Sequence, residues 1–375
     1  MTGAVPRGAQ NRFARRIASL RALYALRFES GVWRNAHGVR RAASFLRFFC
    51  VFCVLAAASA HASSRLSFDL GGAAGYDDNV FQYSPRDESV FIYHENPAKF
   101  PFRSLDDAVV DVTGRLTLRS SFVHRHTTHF ALAATLHQYV SNPVKSYLTG
   151  DVQVRQYLAK SFYVEAGYVL YPRYLIRYFH DPRVLSAYKP CTFTEHLVNA
   201  QVSWRPLKKL EFKPFARCEI DRYQSPFEYY DTKAWREGCE FDMAPVRRLE
   251  LVAAYEYKGA RTGRTVMPDI SYDQHTAGVR VKPKFGRVTL ELGYDYSWRG
   301  YTTTPAIDTT HAGRIDAIQS VVAGASIALS SAVAVTVGCR HDTRASSSPY
   351  RADIDDVKDY LENTVSIGIR AGGNR

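Results

Sequence analysis

Arg287-Val288-Thr289-Leu290-Glu291-Leu292-Gly293-Tyr294-Asp295-Tyr296-Ser297-Trp298-Arg299 has a period of two. Val288, Leu290, Leu292, Tyr294, Tyr296 and Trp298 fall on one face; Thr289, Glu291, Gly293, Asp295, Ser297 and Arg299 fall on the other. An extended strand turns alternate side chains to opposite faces, so this stretch reads as a strand with one apolar wall and one charged wall. A soluble β-sandwich or propeller also alternates apolar with polar residues. It would rarely run Tyr294, Tyr296 and Trp298 together along its apolar face near a strand end, which is the pattern of an aromatic girdle at a membrane interface.

The same alternation recurs along the chain from Leu66. Val110, Val112, Leu116 and Leu118 oppose Asp111, Thr113, Arg115, Thr117 and Arg119, and Leu148, Val152 and Val154 oppose Asp151, Gln153 and Arg155. Strands are predicted near 66–76, 107–120, 128–140, 146–158, 161–171, 192–204, 209–222, 232–243, 248–258, 271–283, 287–299, 315–329, 332–341 and 359–370, fourteen in all. Their lengths suit tilted membrane strands, which need about 9–11 residues. Short turns such as Arg205-Pro206-Leu207-Lys208 and Lys284-Phe285-Gly286 alternate with longer connections at 77–106, 172–191, 259–270, 300–314 and 342–358; those at 141–145 and 223–231 are moderate. One short side and one long side is the habit of bacterial outer-membrane barrels. The expected fold is therefore all-β: a transmembrane antiparallel barrel of about fourteen strands over residues 63–375, behind a cleaved signal peptide.

That signal is read from residues 1–62. They contain ten arginines, no lysine and the single acid Glu29, which is nine of the chain's thirteen net positive charges. The uncharged run Phe48–Ala60 is too short to span a bilayer. It follows Arg40, Arg41 and Arg47 and precedes Ala60-His61-Ala62, a small-residue cleavage site, which is the order of a secretory signal rather than of a core helix or an organellar transit peptide. Its basic region is over-long, and translation starting at a non-ATG codon near Val39 would give a signal of ordinary length. With the basic segment removed, the remainder carries +4 and offers no case for nucleic-acid binding.

If the apolar wall meets lipid, the charged wall lines a lumen. Asp111, Arg115, Arg119, Asp151, Arg155, Glu291, Asp295 and Arg299 are the candidate pore-lining residues. A fourteen-stranded barrel is wider than side chains easily fill, and charges without water or partners are costly. The expected function is a porin-like channel for small polar solutes, with outer-membrane lipid, periplasmic chaperones and the barrel-assembly machinery as partners. A barrel closed by interlocking ion pairs, structural or adhesive at the cell surface, is the alternative. Cys218 and Cys239 lie on the apolar phase on either side of the 223–231 connection, where either a cross-strand disulfide or two lipid-facing thiols would fit. No metal site or cofactor motif is present in the reading, and no catalytic residue is assigned. His180-Asp181, Asp273 with His275, Asp308 with His311, and His341-Asp342 are the His/Asp pairs that an enzyme at the barrel rim would need.

Gly75-Tyr76-Asp77-Asp78-Asn79-Val80, following the strand 66–75, resembles the opening of outer-membrane β-barrel porins, which implies an outer-membrane location. Gly71-Gly72-Ala73, Asp77-Asp78 and Asn96-Pro97-Ala98 resemble the N-terminal hatch of fourteen-stranded long-chain fatty-acid transporters. That resemblance implies a hydrophobic substrate and would make residues 63–104 a hatch rather than a strand and a loop. Lys99-Phe100-Pro101 departs from it, because small or apolar residues are expected there. The ending Ile369-Arg370-Ala371-Gly372-Gly373-Asn374-Arg375 lacks the terminal aromatic of such barrels, so either the last strand stops near Arg370 with a short tail or assembly uses another signal.

Overall fold

The structure, a computed structural model, describes residues 65–123, 126–262 and 268–374. The signal segment, its cleavage site and the start near Val39 lie outside the described residues. Fourteen strands follow one another: β1 (Arg65–Asp77), β2 (Asp107–Val123), β3 (His126–Tyr139), β4 (Tyr147–Ala159), β5 (Phe162–Asp181), β6 (Val184–Leu207) and β7 (Leu210–Tyr223). Then come β8 (Thr232–Val246), β9 (Leu249–Thr262), β10 (Tyr272–Phe285), β11 (Val288–Tyr301), β12 (Ile315–Ala328), β13 (Val333–Ser347) and β14 (Tyr360–Asn374). Two short helices, α1 (Pro85–Ile92) and α2 (Ile354–Lys358), lie in connections. Each strand pairs antiparallel with its sequence neighbours, and β1 pairs with β14 from Ser67↔Asn374 to Asp77↔Thr364, closing the barrel.

The alternation of β11 is visible in its exposure. Leu290, Leu292, Tyr294, Tyr296 and Trp298 are exposed, whereas Glu291, Gly293, Asp295, Ser297 and Arg299 between them are covered. This inverts a soluble protein: large apolar side chains face out and charges face in. Phe68, Val112, Val152, Val198, Val279, Val321, Val337 and Ile367 continue the outer apolar wall on other strands. Trp235 and Trp298 sit near the loop ends of their strands and Trp204 near a turn end, all exposed, as interface aromatics do. No helix among the described residues is long and apolar enough to cross a membrane; the apolar surface belongs to the strands.

Connections separate by side. At one end lie the turns 160–161, 208–209, 247–248, 286–287 and 329–332; Gly286 takes φ 60° in its two-residue turn, a conformation glycine adopts without a side-chain clash. At the other lie 78–106, 140–146, 224–231, 268–271, 302–314 and 348–359.

Three expectations are corrected. The connection expected over 172–191 is instead the outer part of a long hairpin, because β5 and β6 continue to a turn at 182–183. Pro172 and Pro190 suggest strand ends, but Pro172 falls where the register shifts between Tyr171 and Tyr174, and Pro190 faces Tyr178. The hatch expected over 63–104 is not formed by its described residues: β1 is a wall strand hydrogen-bonded on both sides. The last strand does not stop near Arg370 but pairs on to Gly372, Gly373 and Asn374.

Candidate functional site

The space inside the wall is shaped first by the connection 78–106. Ser84 caps α1 by accepting from the Asp87 amide, and Pro85 and the acids Asp87 and Glu88 favour its first turn. Around it Phe81 stacks on Phe102 at 4.2 Å and Tyr83 meets Phe100 edge-on at 5.3 Å. This aromatic cluster buries itself against Tyr139 and Leu175, with Val109 and Tyr147 alongside. Lys145 pins it, lying 5.4 Å from the Phe81 ring centre and donating to the Leu175 carbonyl at 2.7 Å. Gln82, at φ 53°, carries the chain inward: its amide donates to Glu362 of β14 at 2.9 Å, and Arg177 of β5 donates to its carbonyl at 3.2 Å. Gln82 thereby shares a cavity of about 530 Å³ with Arg217, Arg280, Asp295 and Arg340. The connection folds into the barrel mouth and narrows it.

The eight expected lining residues alternate with the apolar residues of their strands; Arg119 is exposed and the other seven are partly covered. Asp111 meets His137 Nδ1 at 2.7 Å, Arg115 donates to Gln153 at 2.8 Å and Arg119 to His129 at 2.9 Å. Arg155 donates to Glu165 at 2.6 Å, and Asp151 lies beside Arg155's strand neighbour Gln153, opposite Ala133. Arg280 spans Asp295 at 2.7 Å and Glu291 at 3.7 Å. Arg299 donates to Gln274 at 2.8 Å and lies over Tyr272. Arg280 was not among the expected residues, nor were Arg236, Glu240, Asp242 and Lys258. They follow from the same phase rule applied to β8, β9 and β10. Glu219 receives both Arg236 and Lys258, Glu256 receives Arg217 at 2.9 Å, and Lys213 bridges Glu240 and Asp242.

These pairs make the wall charge-balanced rather than strongly one-signed. Half-buried ions without partners or water would be costly, and most here have an opposite charge or an amide within reach. Close packing serves the same end at Gly278: a Cβ there would collide with the Asp295 carboxylate that holds Arg280.

Of the four His/Asp pairs, the structure joins one: His311 Nδ1 donates to Asp308 at 2.6 Å. His180 bonds Tyr188, His275 bonds Tyr255 and His341 bonds Asn363 instead. The Cys218–Cys239 disulfide is not formed. Register places Cys218 opposite Trp235 and Cys239 opposite Pro214, so the two thiols are offset along the strands and both are free, on the outer apolar phase.

No protein-family model matches the chain, and no curated protein matches it. Among solved structures it is similar to the outer-membrane channel DcaP of Acinetobacter baumannii, at 9% identity and a TM-score of 0.48 over 84% of this chain and 99% of that one. OmpT, an outer-membrane protein of Vibrio cholerae, aligns at 11% identity and a TM-score of 0.47, covering 84% and 99% of the two chains. An anion-selective porin from Comamonas acidovorans aligns at 9% identity and a TM-score of 0.42, covering 83% and 99%.

Proposed function

We propose that this chain is an integral channel of the bacterial outer membrane, passing small polar solutes through a hydrated lumen. The observation that carries this is the inversion of the wall: a closed fourteen-stranded barrel whose exposed face is apolar and whose covered face is charged. Such a surface is stable only where hydrocarbon replaces water outside, and a barrel satisfies every strand's backbone hydrogen bonds without an edge. The lumen in turn requires water, because its carboxylates and guanidiniums are only partly buried and only partly satisfied by one another. Opposed charges such as Arg280 with Asp295 and Arg217 with Glu256 would give weak selectivity among ions. The turn end, which holds both ends of the barrel chain, faces the periplasm in this reading, after export and cleavage behind Ala62. The eight residues Asp111, Arg115, Arg119, Asp151, Arg155, Glu291, Asp295 and Arg299 would then line the path.

The test is conductance. Refolded protein added to a planar bilayer in potassium chloride is expected to give discrete, ohmic steps. A barrel that inserts but never conducts would mean that the ion pairs close the lumen and that the protein is a structural or surface-displaying barrel.

A further inference from the structure

Above the lumen, at the loop end, lies a second cavity of about 560 Å³ formed by the 78–106 connection, the β5–β6 hairpin and the connections 302–314 and 348–359, with Tyr230 of the 224–231 connection and Pro268 completing its lining. Its cations are Lys99, Arg177, Arg351 and Lys358. Two of them are matched locally, Lys99 by Asp87 at 2.5 Å and Arg351 by Asp353 at 2.9 Å. The remaining acid of the cavity, Asp308, is occupied by His311 and by the Thr310 amide at 2.8 Å. Arg177 and Lys358 have no carboxylate in salt-bridge reach among the described residues. Arg177 rests on the Tyr83 ring and donates one nitrogen to Gln82, while its Nε is buried without a hydrogen-bond partner. Lys358 ends α2 in worse company: burial, then Arg177, Arg314, Arg344 and Arg351, push its ammonium down to about 7. Like charges held together with an unpaired buried donor are unfavourable when empty and favourable around an anion. Tyr188 and Tyr230 supply aromatic walls beside them.

We propose that this vestibule binds small organic oxyanions on a planar ring, the anionic group between Arg177 and Lys358 and the ring against Tyr188 and Tyr230. Delivery to the lumen rests on the channel reading: Arg177 touches Gln82, and Gln82 borders the lumen cavity, so a solute leaving the vestibule passes this contact. Binding itself does not require conductance.

The experiment is calorimetric titration of the full barrel, refolded in micelles, with benzoate, phenyl phosphate, benzyl alcohol and inorganic phosphate. Each variant is first checked for heat-modifiable gel migration as proof of folding. Benzoate and phenyl phosphate are expected to bind at least tenfold more tightly than either benzyl alcohol or inorganic phosphate. Arg177→Gln and Lys358→Gln are each expected to weaken benzoate at least tenfold, whereas Lys284→Gln, a turn-end residue paired with Glu250, leaves it unchanged. Benzyl alcohol binding as tightly as benzoate, inorganic phosphate doing so, wild-type affinity in both variants, or no benzoate binding at all would each overturn the proposal. A barrel that conducts potassium chloride but ignores benzoate sinks the vestibule site alone, and one that binds benzoate without conducting sinks the channel reading alone.

Discussion

Leu292 shows how much one residue's side of the wall matters. It is 58% exposed at the middle of β11, and its neighbour Glu291 points the other way to Arg280. Leu292→Arg would place a charge against hydrocarbon and is expected to cost about 2–4 kcal/mol in vesicles. Glu291→Gln loses a contact of 3.7 Å between half-exposed groups and is expected to cost about 0–1 kcal/mol. Denaturant unfolding of the two variants in vesicles measures both; equal costs would mean that the outer face does not meet lipid. This inward or outward assignment was fully legible in the sequence, because a period of two needs only residue polarity to be read. The Cys218–Cys239 pairing was not. Shared phase is a property of one strand, whereas a disulfide depends on the register between two, and Cys218 finds Trp235 across the gap.

At the scale of elements, strands were legible and connections were not. The ladder of β11 announces itself residue by residue, but the β5–β6 hairpin was hidden by Pro172 and Pro190, which the strand tolerates at a register shift and beside Tyr178. The inward fold of 78–106 was hidden for another reason: Phe81, Tyr83 and Phe100 have no period, and only Tyr139, Leu175 and Lys145, distant in sequence, show where they pack. The vestibule, assembled from the β5–β6 hairpin and several connections distant in sequence, was invisible for the same reason. Replacing residues 80–104 with a short Gly–Ser linker is expected to raise single-channel conductance severalfold while preserving heat-modifiable migration. Unchanged conductance would show that the segment does not narrow the path.

The connection 302–314 carries its own dependence on pH. Burial opposes the Asp308 charge, but the bonds from His311 and the Thr310 and His311 amides outweigh it and hold the carboxyl below its ordinary 3.8. Burial pushes the His311 imidazole below its ordinary 6.5, against the pull of Asp308 and with repulsion from Arg314 and Lys358. For both groups the unfolded form binds protons first as the pH falls, so both contributions are present at neutrality and are lost in acid. Protection of the Thr310 and His311 amides from hydrogen exchange should therefore decline as the pH falls below 6.5, and further below 3.8. Asp308→Asn is expected to remove the lower step; protection rising in acid would contradict the assignment.

For the whole molecule, the wall is one cooperative object. Fourteen strands closed on themselves are expected to migrate faster on a gel unboiled than boiled, and equal migration would speak against a closed barrel in solution. Closure also sets the order of events in assembly. The last partner of β1 is β14, and Gly71 sits opposite Arg370 across nearly the whole described chain. Until that seam forms, β1 and the strand built last each offer a raw row of amides and carbonyls, which hydrocarbon cannot satisfy and another chain can. Making this protein is thus a matter of custody: the first strand has to be kept from other partners through the synthesis of all the rest, and the barrel exists only once its two ends have met.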